Sequence, residues 1–201
     1  MPGEHVPAVD TISEHITAIV LAGGQGSRLG GQNKGLVTYG DKPLVQHVLD
    51  AVAPQVSQVV ISANRDLAHY KQFGYPVIAD QHADYRGPLA GIAAALDAVT
   101  TDYVLIVPCD MPHLPRDLVV RLADTMRDEQ TNLAIAHDGE RAQYLVALMH
   151  RDVAASARAF VDADGRAVKD WLATHSPAVA WFADQHPAFR NINAHDELTR
   201  N

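Results

Sequence analysis

The chain has 201 residues, 47% hydrophobic and 20% charged, with 16 basic against 24 acidic side chains and a formal charge of −8. That is the composition of a globular protein with chain enough for a sizeable core, and it excludes disorder, collagen-like repeats and a general binder of nucleic-acid polymers. The single cysteine, Cys109, excludes an internal disulfide framework and any zinc site built on two cysteines, and no apolar run approaches the ~20 residues of a membrane span. A cytoplasmic protein with no membrane partner is the expectation.

Residues 1–15 hold two prolines and three acids, without the basic-then-apolar pattern of a signal peptide. They read as a flexible leader, with residues 16–201 as one domain. Residues 16–22 are β-branched and apolar on both faces, as a central parallel strand is. A helix is predicted over 43–53, with Pro43 suited to its first turn. Next come a strand over 58–63, a short helix over 65–73, a strand over 76–79 and an Ala-rich helix over 88–99. Residues 103–107 are a further buried strand, and 118–126 carry Leu118, Val119, Leu122, Ala123 and Met126 at helical spacing. Beyond Asp128 the spacing predicts strands over 133–136 and 144–149 around a turn at Asp138-Gly139. Helices follow over 152–160 and 168–174, then a strand over 178–182 and a last helix over 194–200. Alternating strands and helices argue for an α/β fold: a mostly parallel sheet with helices on both faces.

The first strand runs into Leu21-Ala22-Gly23-Gly24 and on to Lys34, with Gly23, Gly24, Gly26, Gly30 and Gly31 inside nine residues. Glycines admit a ligand close to backbone N–H groups, and such a loop after a strand makes an anion site. Arg28 and Lys34 add positive charge suited to phosphate. The 25 residues from Ile16 to Gly40 contain no acid, so this segment is +2 and the rest sums to −8 − 2 = −10. The P-loop motif is excluded because Gln32 stands where its lysine belongs. The dinucleotide G-x-G-x-x-G is excluded because Leu29 replaces its last glycine.

Ligands of open α/β sheets sit at the carboxyl ends of strands. Asp110 follows the 103–107 strand and Asp80 the 76–79 strand. A phosphate-rich substrate needs Mg²⁺, which takes one or two carboxylates, so Asp110 is the candidate metal ligand; its alternative is to cap the turn before Pro112. For Asp80 capping stands beside function. Asn64 either reads a base or ribose edge or closes a turn. Gly87-Pro88-Leu89-Ala90-Gly91 opens a helix, either toward a ligand or for close packing. Cys109 has no partner base placed by sequence, and the eleven histidines form no zinc motif. Asn193 reads as a helix N-cap, with lining the site as its alternative.

Leu21-Ala-Gly-Gly with Arg28, Gly30-Gly31 and Lys34-Gly-Leu36 resembles the opening of molybdenum cofactor guanylyltransferases. The likeness continues through Lys42-Pro-Leu44, Ser62-Ala-Asn-Arg65, Asp80, Gly87-Pro-Leu-Ala-Gly91, Pro108-Cys-Asp110, His137-Asp-Gly-Glu-Arg141 and Asn191-Ile-Asn193, spanning residues 16 to 198. The resemblance implies a Rossmann-like, three-layer α/β/α nucleotidyltransferase fold. It implies an Mg²⁺-dependent transfer of GMP from GTP to Mo-molybdopterin, giving the guanine dinucleotide cofactor and pyrophosphate. It assigns Leu21, Ala22, Gly23, Lys34, Asn64, Asp80 and Asp110 to the nucleotide, Asp110 also to Mg²⁺, and Arg28, Lys34 and Asp110 to catalysis. Asn191 and Asn193 fall toward the pterin side or an outer metal shell. Transient contacts with molybdopterin-synthesis proteins and recipient molybdoenzymes are further implications. The alternatives are a cytidylyltransferase, whose opening tends to carry alanine where Gly23 stands, a sugar-1-phosphate nucleotidyltransferase, for which the chain is short, and a non-catalytic GTP-binding delivery adaptor.

Overall fold

The computed structural model describes residues 12–23, 33–79 and 87–192. Nine strands form in chain order: β1 (Ile16–Leu21), β2 (Thr38–Tyr39), β3 (Lys42–Pro43), β4 (Gln58–Ser62), β5 (Val77–Ile78), β6 (Tyr103–Pro108), β7 (Leu133–His137), β8 (Ala142–His150) and β9 (Ala178–Trp181). The helices are α1 (Leu44–Val52), α2 (Leu67–Lys71), α3 (Pro88–Ala95), α4 (Leu118–Asp128), α5 (Arg151–Asp162) and α6 (Val168–Ala173).

Seven strands make one sheet in the order β5-β4-β1-β6-β8-β7-β9. All run parallel except β8, which pairs antiparallel with both β6 and β7. Every residue of β1 and β6 is buried, as strands covered on both faces must be. Ile16, Ala18 and Val20 face the core under α1, α2 and α4, whereas Ile19 and Leu21 face the one under α3, α5 and α6. This is the expected three-layer α/β/α architecture. No helix among the described residues is long and apolar enough to cross a membrane.

The chain departs from the sequence expectations in four places. Ile12 is fully buried in the first core and Ser13–His15 form a 3-10 turn, so the last residues assigned to the leader belong to the packed body. The β2–β3 hairpin had no strand-length signal, because each arm is two residues long; Gly40 turns it with φ of 64°. Pro43 lies in β3 with extended backbone and caps α1 rather than opening it. The 88–99 helix is α only to Ala95, then tightens to 3-10 over Leu96–Ala98. The helix expected over 194–200 lies outside the described residues.

Candidate active site

Strand order reverses between β1 and β6: β4 and β5 continue outward from β1 on one side, and β6 lies on the other. Such a switch point leaves a crevice beyond the carboxyl ends of the two strands. Register places Leu21 level with Ser62 and with Pro108. Hydrogen bonds carry the alignment one residue further, from Ala22 N–H to Ser62 O at 2.8 Å and from Cys109 N–H to Leu21 O at 3.0 Å. Ala22, Gly23, Asn64 and Asp110 therefore emerge at one edge. A Cβ added to Gly23 would lie 3.8 Å from Asn64 Nδ2, so these two residues adjoin.

Asp110 is the centre of this edge. Its Oδ2 accepts a hydrogen bond from Lys34 Nζ at 2.5 Å, across 76 residues of sequence. Its backbone carbonyl accepts from Ile192 N–H at 2.9 Å, which brings Asn191 beside it. Among the described residues, two buried side-chain atoms have no hydrogen-bond partner: Asp110 Oδ1 and Asn191 Oδ1. A buried polar atom without a partner costs about 1–3 kcal/mol, so such a pair marks a place built for something else. One carboxylate and one carboxamide oxygen are the hard donors that Mg²⁺ accepts. The residues present fit that ion.

Behind the site, fully buried Tyr70 of α2 joins both flanks of the glycine-rich segment. Its Oη donates to Asn33 Oδ1 at 2.7 Å and lies 3.5 Å from Ala22 O. Asn33 Nδ2 in turn donates to Asp66 Oδ2 at 3.3 Å. Gly35 has to be glycine for this: a Cβ there would stand 2.5 Å from Tyr70 Oη and 3.2 Å from Cys109 Sγ. Gly91, one of the two glycines of the α3 entry, serves packing, because its Cβ would meet Ser62 Oγ at 2.7 Å; Gly87 takes φ of 85°.

Burial pushes the Cys109 thiol up to about 12, and the Asp110 carboxylate adds to the shift. The thiol is thus neutral at physiological pH and is not a nucleophile. Iodoacetamide at pH 8 is expected to leave it unmodified in the native protein and to label it after denaturation, as mass spectrometry reads. Native labelling at the rate of an exposed thiol would contradict this.

The structure brings Leu21, Ala22, Gly23, Lys34, Asn64 and Asp110 to one edge. Arg28, Asp80 and Asn193 lie outside the described residues. Sequence reasoning missed Tyr70, which carries no motif, and placed Asn191 by resemblance alone, toward the pterin side or an outer metal shell; the backbone bond from its neighbour Ile192 to Asp110 sets it beside the carboxylate.

Lys34 and the Asp110 carboxylate meet at the switch point of a mostly parallel sheet, and likeness to known proteins gives the class as nucleotidyltransferase. Residues 18–179 match the MobA-like NTP transferase domain. The chain is 44% identical over 186 residues to a molybdenum cofactor guanylyltransferase of Shewanella loihica, covering 92% of this chain and 95% of that relative. The like-named protein of Shewanella putrefaciens is 44% identical over 183 residues, covering 91% and 94%. Among solved structures, molybdopterin-guanine dinucleotide biosynthesis protein A from Archaeoglobus fulgidus superposes with a TM-score of 0.71 at 23% identity, covering 92% and 95%. The chain belongs to the MobA-like NTP transferase family, within the molybdenum cofactor guanylyltransferases.

Proposed function

We propose that this enzyme transfers GMP from GTP to Mo-molybdopterin, forming the guanine dinucleotide cofactor and releasing pyrophosphate. The observation that carries the reading is the Lys34–Asp110 pair at the β1/β6 switch point, with Asp110 Oδ1 left without a partner. Leu21, Ala22, Gly23, Asn64 and Asp80 serve as the nucleotide site. Asp110 holds Mg²⁺, with Asn191 as the second oxygen donor, and the ion would polarise the α-phosphorus and screen its oxygens. Lys34 balances the Asp110 carboxylate before substrates enter and then, with Arg28, faces the departing pyrophosphate. Such transfers rest on positioning and charge stabilisation. The acceptor's terminal phosphate is the nucleophile, so a neutral Cys109 is consistent with the chemistry. The packed body that begins at Ile12 acts as one transferase domain in the cytoplasm, handing the product on through transient contacts with recipient molybdoenzymes.

The test offers Mo-molybdopterin and Mg²⁺ with GTP, CTP or ATP and measures pyrophosphate. GTP is expected to dominate; a preference for CTP would overturn the guanylyl assignment, and GTP binding without pyrophosphate would favour an adaptor.

A further inference from the structure

We infer that an aromatic ledge formed by His137 and Trp181 stacks the pterin ring system of the acceptor. This rests on the guanylyl-transfer reading and names the place of its second substrate. Trp181 is 60% exposed, and the other large hydrophobic exposed among the described residues, Val120, reaches only 39%. The indole is not on an arbitrary surface. It ends β9, which runs parallel to β7 with His137 and Trp181 in register, so both stand at the carboxyl edge that carries Asp110. Their rings lie 4.2 Å apart between centroids at 39°. β7 and β9 are two and three strands from β6, hence about 10 and 14 Å away at the usual strand spacing. That offset suits an acceptor whose reacting phosphate sits at Asp110 while its fused rings extend sideways.

The ledge is preorganised. Phe182 N–H donates to His137 O at 2.8 Å, and Arg121 of α4 binds the Trp181 carbonyl and covers the Phe182 ring at 4.2 Å. Asp138 fixes the turn after β7: its Oδ1 accepts from the N–H groups of Glu140 and Arg141 at 2.8 Å each, and Oδ2 from Gln143 Nε2 at 2.5 Å. Burial acts to raise the Asp138 carboxyl, yet these three donors outweigh it and hold the group below the usual carboxylate range. Lys169 Nζ stands 5.7 Å from the ring centroid of Tyr144 on β8, the strand between β6 and β7, while Arg141 at the turn pairs with Asp138 at 3.9 Å. A flat, aromatic acceptor matches the indole face, and its phosphate suits the Lys169 cation.

The protein has two tryptophans, and Trp171 is buried with its Nε1 donating to Ser156 Oγ at 2.8 Å, so Trp181 can be read by fluorescence. Titration with 6-hydroxymethylpterin is expected to quench the wild-type emission, and Trp181→Phe is expected to abolish that quench. Trp181→Ala should raise the KM for Mo-molybdopterin at least fivefold with GTP affinity unaltered, and Trp181→Phe should restore most of the loss. An unchanged acceptor KM in Trp181→Ala, or wild-type emission indifferent to the pterin, would overturn the ledge. Pterin quenching without GTP-dependent pyrophosphate release would keep the ledge and overturn the guanylyl reading.

Discussion

Asp110→Asn is expected to lower pyrophosphate release by about 10³-fold or more while the protein stays folded. The substitution is nearly isosteric. It preserves the backbone bond from Ile192 N–H and removes only the negative charge that faces Lys34 and, at Oδ1, has no partner of its own. Oδ1 left in that condition does not stabilise the chain, and the ion pair lost at Oδ2 involves a Lys34 side chain that is partly exposed, so the thermal midpoint should fall little while activity collapses. Mn²⁺ binding in the presence of GTP, followed by electron paramagnetic resonance, should weaken in parallel. Turnover near wild type would remove Asp110 from the metal site. A large loss of activity set against a small change in stability separates a working carboxylate from a structural one.

Gly35→Val is expected to damage both stability and nucleotide affinity. The added carbons must displace the Tyr70 hydroxyl or the Cys109 sulfur, and neither has room, since Tyr70 is fully buried and Cys109 is 7% exposed. Overpacking of this kind costs about 1–3 kcal/mol, or roughly 5 °C in melting temperature for a domain of this size. Moving Tyr70 also breaks its bond to Asn33 and its approach to Ala22, so both flanks of the glycine-rich segment shift. Calorimetry should show GTP binding weakened by about tenfold, on the order of 1.4 kcal/mol. Tyr70→Phe is the informative companion: it removes the hydroxyl without crowding, and should reproduce part of the affinity loss with a smaller loss of stability. A Gly35→Val protein that melts and binds like the wild type would dissolve the connection between Tyr70 and the loop.

The parts legible in sequence were those whose signals are local. β1 and β6 are apolar on both faces, and only strands in the middle of a covered sheet tolerate that. The glycine-rich run following β1 and the acid following β6 then fall at the same edge once the sheet is parallel. What escaped depends on distant chain. Tyr70 meets Asn33 across 37 residues and Ala22 across 48, and neither spacing has a sequence signature. Asn191, which the resemblance assigns to the pterin side or an outer metal shell, is set beside Asp110 by a single backbone bond that its neighbour makes. Trp181 reads as the tail of a strand until the β7–β9 register sets it beside His137. The β2–β3 hairpin is too short for alternation to show.

One strand of the sheet travels against its neighbours, and this has a bearing on how such enzymes diversify. β8 enters at the carboxyl edge of the parallel strands, directly after the turn at Asp138, and returns to β6 at the far side. The β7–β8 pair is thus a self-contained hairpin whose alignment is set by its own turn and by the irregularity between Ile135 and Ala136. Lengthening or shortening that turn would re-space His137 and Trp181, where the acceptor is proposed to stack, while Asp110, just after β6, keeps its distance from β1. A lineage could in this way exchange one acceptor for another and retain the same nucleotide chemistry.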